Sequence, residues 1–361
     1  MKIMTIVGTR PELIRLSRII PLLDKYCNHI FVHTGQNFDP NLKDIFFKSL
    51  WIRDPDYQEN CAGKTTFETI SNILTMTERL IEKEKPDKLL ILGDTNSGLS
   101  SIVAKRYGVK VYHMEAGNRC YNDIVPEEVN RRIIDSCTDI WMPYTERSRQ
   151  YLLREGVAQD KIFVIGNPIF EVLNYYTDSI LQSKILDTVN LRANEFFLVT
   201  MHRSENVDNP IIMDSLCDAL QILSIDHIVL LSVHPHTKIK LDKKIVSDRI
   251  ILSEPFNFLD FIHLELSSYC VITDSGTVQE ECSILGVPNV IIRTTNERLE
   301  TIENGNNVLC GYKSKDIIHA IKIAVELSPR CLDDFILHAP NAYITPNVSN
   351  TVAKIILGTY P

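Results

Sequence analysis

The feature of this sequence that most constrains its fold is a regular alternation between short runs rich in Val, Ile and Leu and longer segments with helical periodicity. Continuous apolar runs of this length are typical of strands buried on both faces, which occur in parallel sheets covered by helices. The alternation continues through 361 residues, a length that suits two domains. It predicts an α/β protein with two doubly wound, Rossmann-like domains. The predicted strands are 3–8, 30–35, 89–94, 109–115, 140–143 and 162–166 in the first half, and 196–202, 227–234, 250–254, 270–275, 289–293 and 308–311 in the second; the helices between them include 12–26, 40–50 and 238–246.

The alternation pauses once, over residues 170–194, which contain no convincing strand. This stretch follows Gly166-Asn167-Pro168, where Gly and Pro break the pattern. We therefore predict an N-terminal domain over residues 1–169 and a C-terminal domain that begins at residue 170. Doubly wound sheets bind their ligands beyond the carboxyl ends of the strands, so we expect a ligand in a cleft that both sheets face.

Charge and cysteine content exclude several classes of protein. Lys and Arg number 38 against 46 Asp and Glu, a net charge of −8 without a basic run, so neither nucleic acid nor an anionic membrane is expected as a partner. The apolar run of residues 1–8 is too short for a signal peptide and no run reaches about 18 apolar residues, so we expect neither a signal peptide nor a membrane span. Its nine cysteines include no C-x-x-C pair, which argues against disulfides and a zinc site. We predict a cytosolic protein.

The glycines argue against a nucleotide cofactor. No two of the 14 glycines are spaced as G-x-G, and no phosphate-binding loop of NTPases occurs, so we expect no nicotinamide and no other cofactor. Asp54-Pro55-Asp56 would suit a metal–diphosphate site, but the central proline favours a turn. No metal is expected.

Polar residues follow the predicted strands of the first domain. Arg10, after the first strand, lies at a helix N-terminus that suits an anion, although a plain turn with a solvated Arg fits equally well. Asp94 and Glu115 each end a strand, and Asp94 could simply cap a helix. Glu127 opens a helix and could pair with Arg131. Asp94, Glu115 and Glu127 would converge on one sheet edge and raise one another's pKa, as an acid/base set requires.

The second domain offers candidates for binding a phosphate. His202 ends its first strand and could place a proton or a positive charge on a leaving phosphate, although a His satisfied by its own loop is nearly as good an interpretation. Ser275 and Gly276 open a helix whose backbone N–H groups suit a diphosphate, and Glu281, in its second turn, suits ribose hydroxyls. A capping role explains Ser275 but not the acids behind it. His234-Pro235-His236 is a weak metal pair.

Together these segments resemble the non-hydrolysing UDP-N-acetylglucosamine 2-epimerase family over nearly the whole chain. Within the family, the segment from Met114 to Cys120, the short step to Pro126, and Tyr144-Thr145-Glu146 look most like the branch that acts on UDP-2-acetamido-2,6-dideoxy-L-hexoses. The matching motifs are Gly8-Thr-Arg-Pro-Glu12, Thr34-Gly-Gln36, Gly93-Asp-Thr95, Glu115-Ala-Gly117, Pro126-Glu-Glu128, His202-Arg203, Asp274-Ser-Gly276 and Gln279-Glu-Glu281.

The resemblance implies a fold similar to the two-domain (GT-B) glycosyltransferases, with a C-terminal domain over 170–345, a final helix within 346–361 that returns to the first domain, and a homodimer. It also implies a role for each candidate. Arg10 and His202 would hold the diphosphate and assist its departure, Asp94, Glu115 and Glu127 would be acid/base groups positioned by Arg131, Ser275 and Gly276 would contact phosphate, and Glu281 would bind the ribose. Three departures from the family pattern are Asn37, Thr277 and Leu299.

The expected reaction is epimerisation at C2 of a UDP-sugar, supplying a nucleotide sugar for a surface polysaccharide. One alternative is a UDP-N-acetylglucosamine 2-epimerase that forms UDP-N-acetylmannosamine. A nucleotide-sugar glycosyltransferase would share the diphosphate site but would not need three acids. A hydrolysing epimerase would release UDP and free sugar, and a binding protein would not need Asp94, Glu115, Glu127 and His202 together.

Overall fold

Two sheets of six parallel strands organise the chain in a computed structural model, which describes residues 1–359 except 37–46, 48, 234, 242–243, 304, 306 and 328–341. The predicted helix 40–50 falls largely outside the described residues, as do Asn37 and His234. The prediction of an α/β fold with two doubly wound, parallel sheets is confirmed.

The chain divides into two compact units, one formed by Met1–Asn174 with Ala342–Pro361 and the other by Tyr175–Asn341. Along the sequence, the boundary between the two units falls within a helix, Pro168–Leu181, a few residues after the Gly-Asn-Pro break. That break is a helix start: the Asn167 side chain accepts a hydrogen bond from the backbone N–H of Ile169 at 3.1 Å, and Pro168 is the first helical residue.

The sheet of the first unit has the strand order β3-β2-β1-β4-β5-β6, which is the Rossmann order. Two of its features differ from the sequence prediction. The strand at 57–58 was not predicted, because two residues carry no pattern, and the strand predicted at 162–166 is wrong, because only Ile162 forms a bridge, to Trp141. The strands are β1 (Lys2–Val7), β2 (Asn28–His33), β3 (Tyr57–Gln58), β4 (Lys88–Leu92), β5 (Lys110–Met114) and β6 (Ile140–Met142).

The helix predicted over 12–26 is two helices. The first ends at Leu16, where the Ser17 hydroxyl donates to the carbonyl oxygen of Ile14 at 2.7 Å. Pro21 explains the break, since it lacks an N–H and its ring would collide with the carbonyl four residues earlier. The helices of this unit are α1 (Arg10–Leu16), α2 (Ile20–Tyr26), α3 (Thr66–Glu84), α4 (Ser100–Arg106), α5 (Pro126–Ser136), α6 (Glu146–Arg154) and the shared α7 (Pro168–Leu181), with short 3₁₀ turns at Asn96–Leu99 and Gln159–Lys161.

The second unit repeats the same topology with the order β12-β11-β10-β7-β8-β9. Its strands are β7 (Phe196–Thr200), β8 (Ile228–Ser232), β9 (Ile250–Ser253), β10 (Cys270–Thr273), β11 (Asn289–Ile291) and β12 (Asn307–Leu309). Its helices are α8 (Ile185–Val189), α9 (Ser204–Val207), α10 (Pro210–Leu223), α11 (Pro235–Leu241, predicted at 238–246), α12 (Phe258–Ser267), α13 (Gly276–Leu285), α14 (Leu299–Glu303) and α15 (Ser314–Leu327).

The last helix, α16 (Val348–Leu357), belongs to the first unit and packs against α2. The Lys88 ammonium donates to the carbonyl oxygens of Ile356 and Gly358, each at 2.6 Å, and so satisfies carbonyls that a helix end leaves unpaired. At the other end, the Ser349 N–H donates to Glu171 at 2.7 Å. Three of its apolar side chains are fully buried, those of Val348, Val352 and Ile356.

Candidate active site

The predicted site residues follow the strands at which each sheet reverses its strand order. In the first sheet the reversal lies between β1 and β4, and Arg10 and Asp94 follow these strands. In the second sheet it lies between β7 and β10, and His202 and Ser275 follow them. Doubly wound sheets bind ligands at this topological switch point. Each unit therefore brings its own candidates to the position where its sheet can form a site.

The turn after β1 is built around Glu12, a residue that the sequence analysis did not single out. Its Oε2 accepts hydrogen bonds from the N–H of Gly8 at 3.0 Å and from the N–H and hydroxyl of Thr9, each at 2.7 Å. Its Oε1 accepts from the hydroxyl of Thr95 at 3.1 Å. Burial raises the pKa of Glu12 to about 7, against the opposing effect of these hydrogen bonds. Arg10, half-buried, is the first residue of the helix that this turn begins.

Asp94, after β4, is paired with an arginine. The Nε and Nη2 atoms of Arg131 lie 2.8 and 2.7 Å from its Oδ2. Arg131 is buried and its Nη1 donates to Glu128 at 3.1 Å. The Asp94 carboxylate keeps partial contact with solvent. Arg131 therefore holds Asp94 in one orientation through a charge pair.

Glu115 lies beside the Gly93–Asp94 turn. A Cβ atom added to Gly93 would be 3.7 Å from its Oε2. Glu115 has a φ of +64°, a left-handed conformation that is uncommon for a residue with a side chain and that clusters at functional sites. Its buried carboxylate accepts a hydrogen bond from the Asn118 amide at 3.1 Å, and that amide in turn accepts from Ser148 at 3.0 Å. The structure thus places the Glu115 carboxylate beside the turn that carries Asp94.

Glu127 is half-buried, and among the described residues its carboxylate has no hydrogen-bond or ion-pair partner. The predicted pair with Arg131 does not form, because Arg131 turns to Asp94 and Glu128. Glu128, which the sequence analysis did not select, is fully buried and accepts from the N–H groups of Cys120 and Tyr121 at 3.0 and 3.1 Å. Burial alone would raise the pKa of Glu128, but the Cys120 N–H and Arg131 hold this pKa below its usual value.

A buried network supports these turns from below. The two ring nitrogens of His113 lie 2.9 Å from the Gly93 carbonyl oxygen and 2.8 Å from Asp135. Asp135 also accepts from the Gly117 N–H at 3.1 Å and pairs with Arg119 at 2.7 Å. Burial alone would raise the pKa of Asp135, but His113 and Arg119 hold this pKa below its usual value. The network fixes the backbone on both sides of Glu115 and Asp94.

In the second unit, Asp274 organises the loop that carries His202. It is fully buried, and its carboxylate accepts from the N–H groups of His202 and Arg203 at 3.2 and 3.1 Å and from the Asn206 amide at 3.1 Å. Nδ1 of His202 lies 3.1 Å from Asp274, while about half of the His202 side chain is exposed. The pKa of Asp274 lies below its usual value because His202 and these hydrogen bonds outweigh burial. Nδ1 therefore carries the hydrogen, which leaves Nε2 for a ligand.

Ser275 is the N-cap of α13: its hydroxyl oxygen accepts a hydrogen bond from the Thr277 N–H at 3.3 Å. The capping interpretation of Ser275 is therefore correct, and its hydroxyl hydrogen can still be donated to a ligand. Gly276 is required by a close contact, since an added Cβ would lie 2.6 Å from Nη1 of Arg298. Arg298 is buried and its Nε donates to Glu280 at 2.6 Å.

Arg298 belongs to a group of arginines that the sequence analysis did not select. Glu297 contacts Arg298 directly and accepts from Arg293 at 2.6 Å, and Arg203 approaches it to 3.9 Å. Arginine forks of this kind suit phosphate oxygens. The signal in the sequence is the run Asn296-Glu297-Arg298 directly before Leu299, of which only Leu299 was noted, as a departure from the family pattern.

Glu281 is buried on α13 and interacts with a second buried acid, Glu265 on α12. Burial and the neighbouring charge of Glu281 raise the pKa of Glu265 well above its usual value. Two adjacent buried carboxyls cannot both be charged at low cost, so Glu265 carries the proton.

The part of the chain that the structure describes gives no sign of a metal centre or a membrane-spanning helix. There, no group of three or more His, Cys, Asp or Glu side chains could hold a metal ion, and none of the helices is long and apolar enough to cross a membrane. Eight of the nine cysteines lie in that part of the chain and are free.

The fold and the residues at its switch points define a two-domain enzyme with the GT-B architecture. The fold is shared with a UGT transferase from Siraitia grosvenorii in complex with UDP, at a TM-score of 0.56 and 11% identity over 99% of this chain and all of that one. The family model for UDP-N-acetylglucosamine 2-epimerase matches residues 23–357, and the chain belongs to this family. It is a UDP-sugar epimerase, and hence an isomerase.

Individual relatives agree with this assignment. The chain is 38% identical to the UDP-N-acetylglucosamine 2-epimerase of Methanocaldococcus jannaschii over 90% of this chain and 92% of that protein. A crystal structure of the Methanocaldococcus jannaschii UDP-GlcNAc 2-epimerase with UDP-GlcNAc and UDP has a TM-score of 0.90 at 34% identity and covers 99% of each chain. The chain is also 33% identical to the UDP-2,3-diacetamido-2,3-dideoxy-D-glucuronate 2-epimerase of Pseudomonas aeruginosa, over 90% of this chain and 92% of that protein.

Proposed function

We propose that the chain inverts C2 of a UDP-2-acetamido sugar by eliminating UDP and adding it back. The hydrogen on C2 is not adjacent to a carbonyl group, so a side chain cannot remove it without a further driving force. Loss of UDP from C1 supplies that force: the C2–H and C1–O bonds break, a C1–C2 double bond forms, and UDP leaves with the bonding electrons. UDP then returns to C1 while a proton reaches C2 from the opposite face.

The observation that carries this proposal is the pair of acids at the carboxyl edge of the first sheet. Asp94 and Glu115 follow adjacent strands, and each is held by a partner of its own, Arg131 for Asp94 and Asn118 for Glu115. Two carboxylates in different surroundings suit the removal of a proton on one face and its delivery on the other. Glu127, without a partner among the described residues, is the third candidate for proton transfer.

The second unit supplies groups that suit a departing diphosphate. In its protonated form His202, whose Nδ1–H is oriented by Asp274, can hold a phosphate oxygen through Nε2–H or transfer that proton to it. Ser275, Gly276 and the N-terminus of α13 suit a second phosphate, and Arg10 of the first unit is the remaining cation that we assign to it. Positive groups and N–H donors at the leaving group stabilise the charge that develops there. Glu281 is assigned to the ribose.

For the substrate we propose a UDP-2-acetamido-2,6-dideoxy-L-hexose, on the evidence of the Met114–Cys120 segment and Tyr144-Thr145-Glu146. Asn118 of that segment contacts the Glu115 carboxylate, so its identity bears on the site. UDP-N-acetylglucosamine is the second candidate, because the Methanocaldococcus relative is named for it. We also propose that the chain forms a homodimer and that its product serves surface polysaccharide synthesis. Sedimentation of the purified protein tests the oligomeric state.

Turnover in deuterium oxide tests the reaction. Proton exchange at C2 predicts deuterium at C2 of the product, observed by NMR, with each of the L-hexose substrates and UDP-N-acetylglucosamine supplied in turn without an acceptor. The preferred substrate is the one that equilibrates fastest. Product without deuterium at C2 would refute the elimination, and release of UDP in proportion to free sugar would identify a hydrolase.

Variants at the two acids test their roles. Asp94→Asn and Glu115→Gln should each lower kcat by about two or more orders of magnitude, the usual scale for acid/base groups. Glu82→Gln is the matched control, because Glu82 is an exposed carboxylate on α3 that accepts a hydrogen bond from the Tyr107 hydroxyl at 2.9 Å and lies outside the candidate site. Activity retained in both Asp94→Asn and Glu115→Gln would remove these residues from the mechanism.

A further inference from the structure

Glu12 is a buried acid to which the proposed reaction gives no role. It is 2% exposed, and its carboxylate accepts the four hydrogen bonds described above. Three of them, from Gly8 and Thr9, cap α1 as a first-turn glutamate commonly does. The fourth comes from Thr95, 83 residues further along the chain. Helix capping does not require this fourth bond.

The bond between Glu12 and Thr95 joins the two turns at the switch point of the first sheet. The turn after β1 continues into Arg10, and the turn after β4 contains Asp94 directly before Thr95. One carboxylate therefore contacts both the turn assigned to the diphosphate and the turn assigned to proton transfer. A displacement of either turn changes the geometry of this bond.

The packing around these turns leaves little room for adjustment. A Cβ atom added to Gly8 would lie 2.1 Å from the Ser97 hydroxyl and 2.4 Å from that of Thr34. Those two hydroxyls are hydrogen-bonded to each other at 2.8 Å. Close-packed surroundings transmit a displacement instead of absorbing it.

We propose that Glu12 is a positioning residue for epimerisation, whose carboxylate holds the Arg10 turn and the Asp94 turn in fixed register. The inference rests on the proposed function, since it assigns Glu12 to the geometry of that reaction. A change in the relative position of the two turns would separate the groups that act on the leaving diphosphate from those that move the C2 proton. Small misplacements of this kind lower kcat strongly.

The role requires the ionised form of Glu12. A carboxylate can accept all four hydrogen bonds, whereas the protonated acid must use one oxygen as a donor. The pKa of Glu12 is about 7, and the Thr95 hydroxyl is among the groups that keep it from rising further. The charged groups on the two turns are Arg10 and Asp94, the latter paired with Arg131. We therefore expect catalysis to decline below about pH 7.

The test is the pH profile of kcat/KM for C2 exchange in four proteins. The wild type should show an acid limb near pH 7, and Glu12→Gln should remove this limb and lower kcat about 10- to 100-fold. Thr95→Val deletes only the fourth hydrogen bond and should move the limb to higher pH. Thr95→Ser restores a hydroxyl and should restore the limb to its wild-type position.

Glu68→Gln is the control for the loss of a helix cap. Glu68 occupies the same position in α3, with Thr65 as N-cap, and accepts from the Lys64 N–H at 2.7 Å on the surface. It should leave kcat and the pH profile unchanged. An acid limb that is identical in wild type, Glu12→Gln and Thr95→Val would overturn the inference while leaving the epimerase intact.

A wild type without C2 exchange would instead refute the proposed function. The hydrogen bond between Glu12 and Thr95 is then tested by thermal unfolding. Because Thr95→Val raises the pKa of Glu12, it should shift the pH dependence of the unfolding midpoint to higher pH. A pH dependence identical to that of the wild type would overturn the inference that this hydrogen bond links the two turns.

Discussion

Replacing Gly276 by alanine would place a methyl group against the guanidinium of Arg298. The added Cβ would lie 2.6 Å from Nη1 and 2.8 Å from Cζ, whereas ordinary contact begins at 3.4 Å, so the guanidinium must retreat by about 0.8 Å. Arg298 is held by a 2.6 Å hydrogen bond to Glu280 and by Glu297, so it cannot swing away freely.

The magnitude follows from the bond that the retreat would weaken. A hydrogen bond between charged groups contributes about 1.5–3 kcal/mol, and alanine returns about 1 kcal/mol through its better helix propensity. The net cost of about 0.5–2 kcal/mol corresponds to UDP binding that is about 2- to 30-fold weaker, if the arginine group holds the diphosphate. Isothermal titration with UDP at fixed salt measures this change, and thermal unfolding measures the accompanying loss of stability.

A double-mutant cycle with Arg298→Lys identifies the cause. Lysine keeps a positive charge beside Glu280 but lacks the rigid fork that the methyl group would meet. Gly276→Ala should therefore cost much less in the Arg298→Lys background. An equal cost in both backgrounds would refute the reasoning, because the methyl group would then be blocking the ligand itself.

Three further predictions concern other buried charges. Glu12 has a pKa of about 7 in the folded protein against 4.5 when unfolded, so the folded state binds its proton more tightly. The contribution of Glu12 to the free energy of unfolding should therefore fall by about 3 kcal/mol as the pH rises from 4.5 to 7. Urea titrations measure this slope, and Glu12→Gln should flatten it. Asp274→Asn places an amide against N–H donors and should lower both the thermal midpoint and kcat, the latter about tenfold or more; unchanged kcat would remove Asp274 as the group that orients His202. Lys88→Met removes the donor to two helix-end carbonyls and should destabilise the protein by about 1–3 kcal/mol in urea unfolding, whereas Lys354→Met on the same helix should not.

The sequence predicted the sheets because a buried parallel strand is a local pattern. The apolar runs that form β4 and β7 are visible without any knowledge of their neighbours. The same pattern located Asp94 and His202, since polar residues that end such strands lie at the carboxyl edge of the sheet. Most strands, and the sheet edge to which each candidate residue belongs, could therefore be anticipated from short segments alone.

The residues that were missed are those whose roles depend on distant partners. Glu12 looks like an ordinary first-turn acid until Thr95, 83 residues away, is placed beside it. His113 and Asp135 likewise lie in separate elements, and their pairing cannot be read from spacing. Within one helix, spacing allowed Arg131 to pair with Glu127, but Arg131 pairs instead with Asp94, which lies in the turn after β4. Tertiary contacts of this kind override local rules.

The final helix gives the first unit a dependence on the order of synthesis. Residues 342–357 complete that unit, yet the ribosome makes them only after the entire second unit. Until then, the patch that Val348, Val352 and Ile356 cover is open to water, and the Lys88 ammonium awaits the carbonyls it caps. The first unit of the nascent chain therefore stays incomplete while the second unit is translated. Docking of its final helix is the last step of its folding.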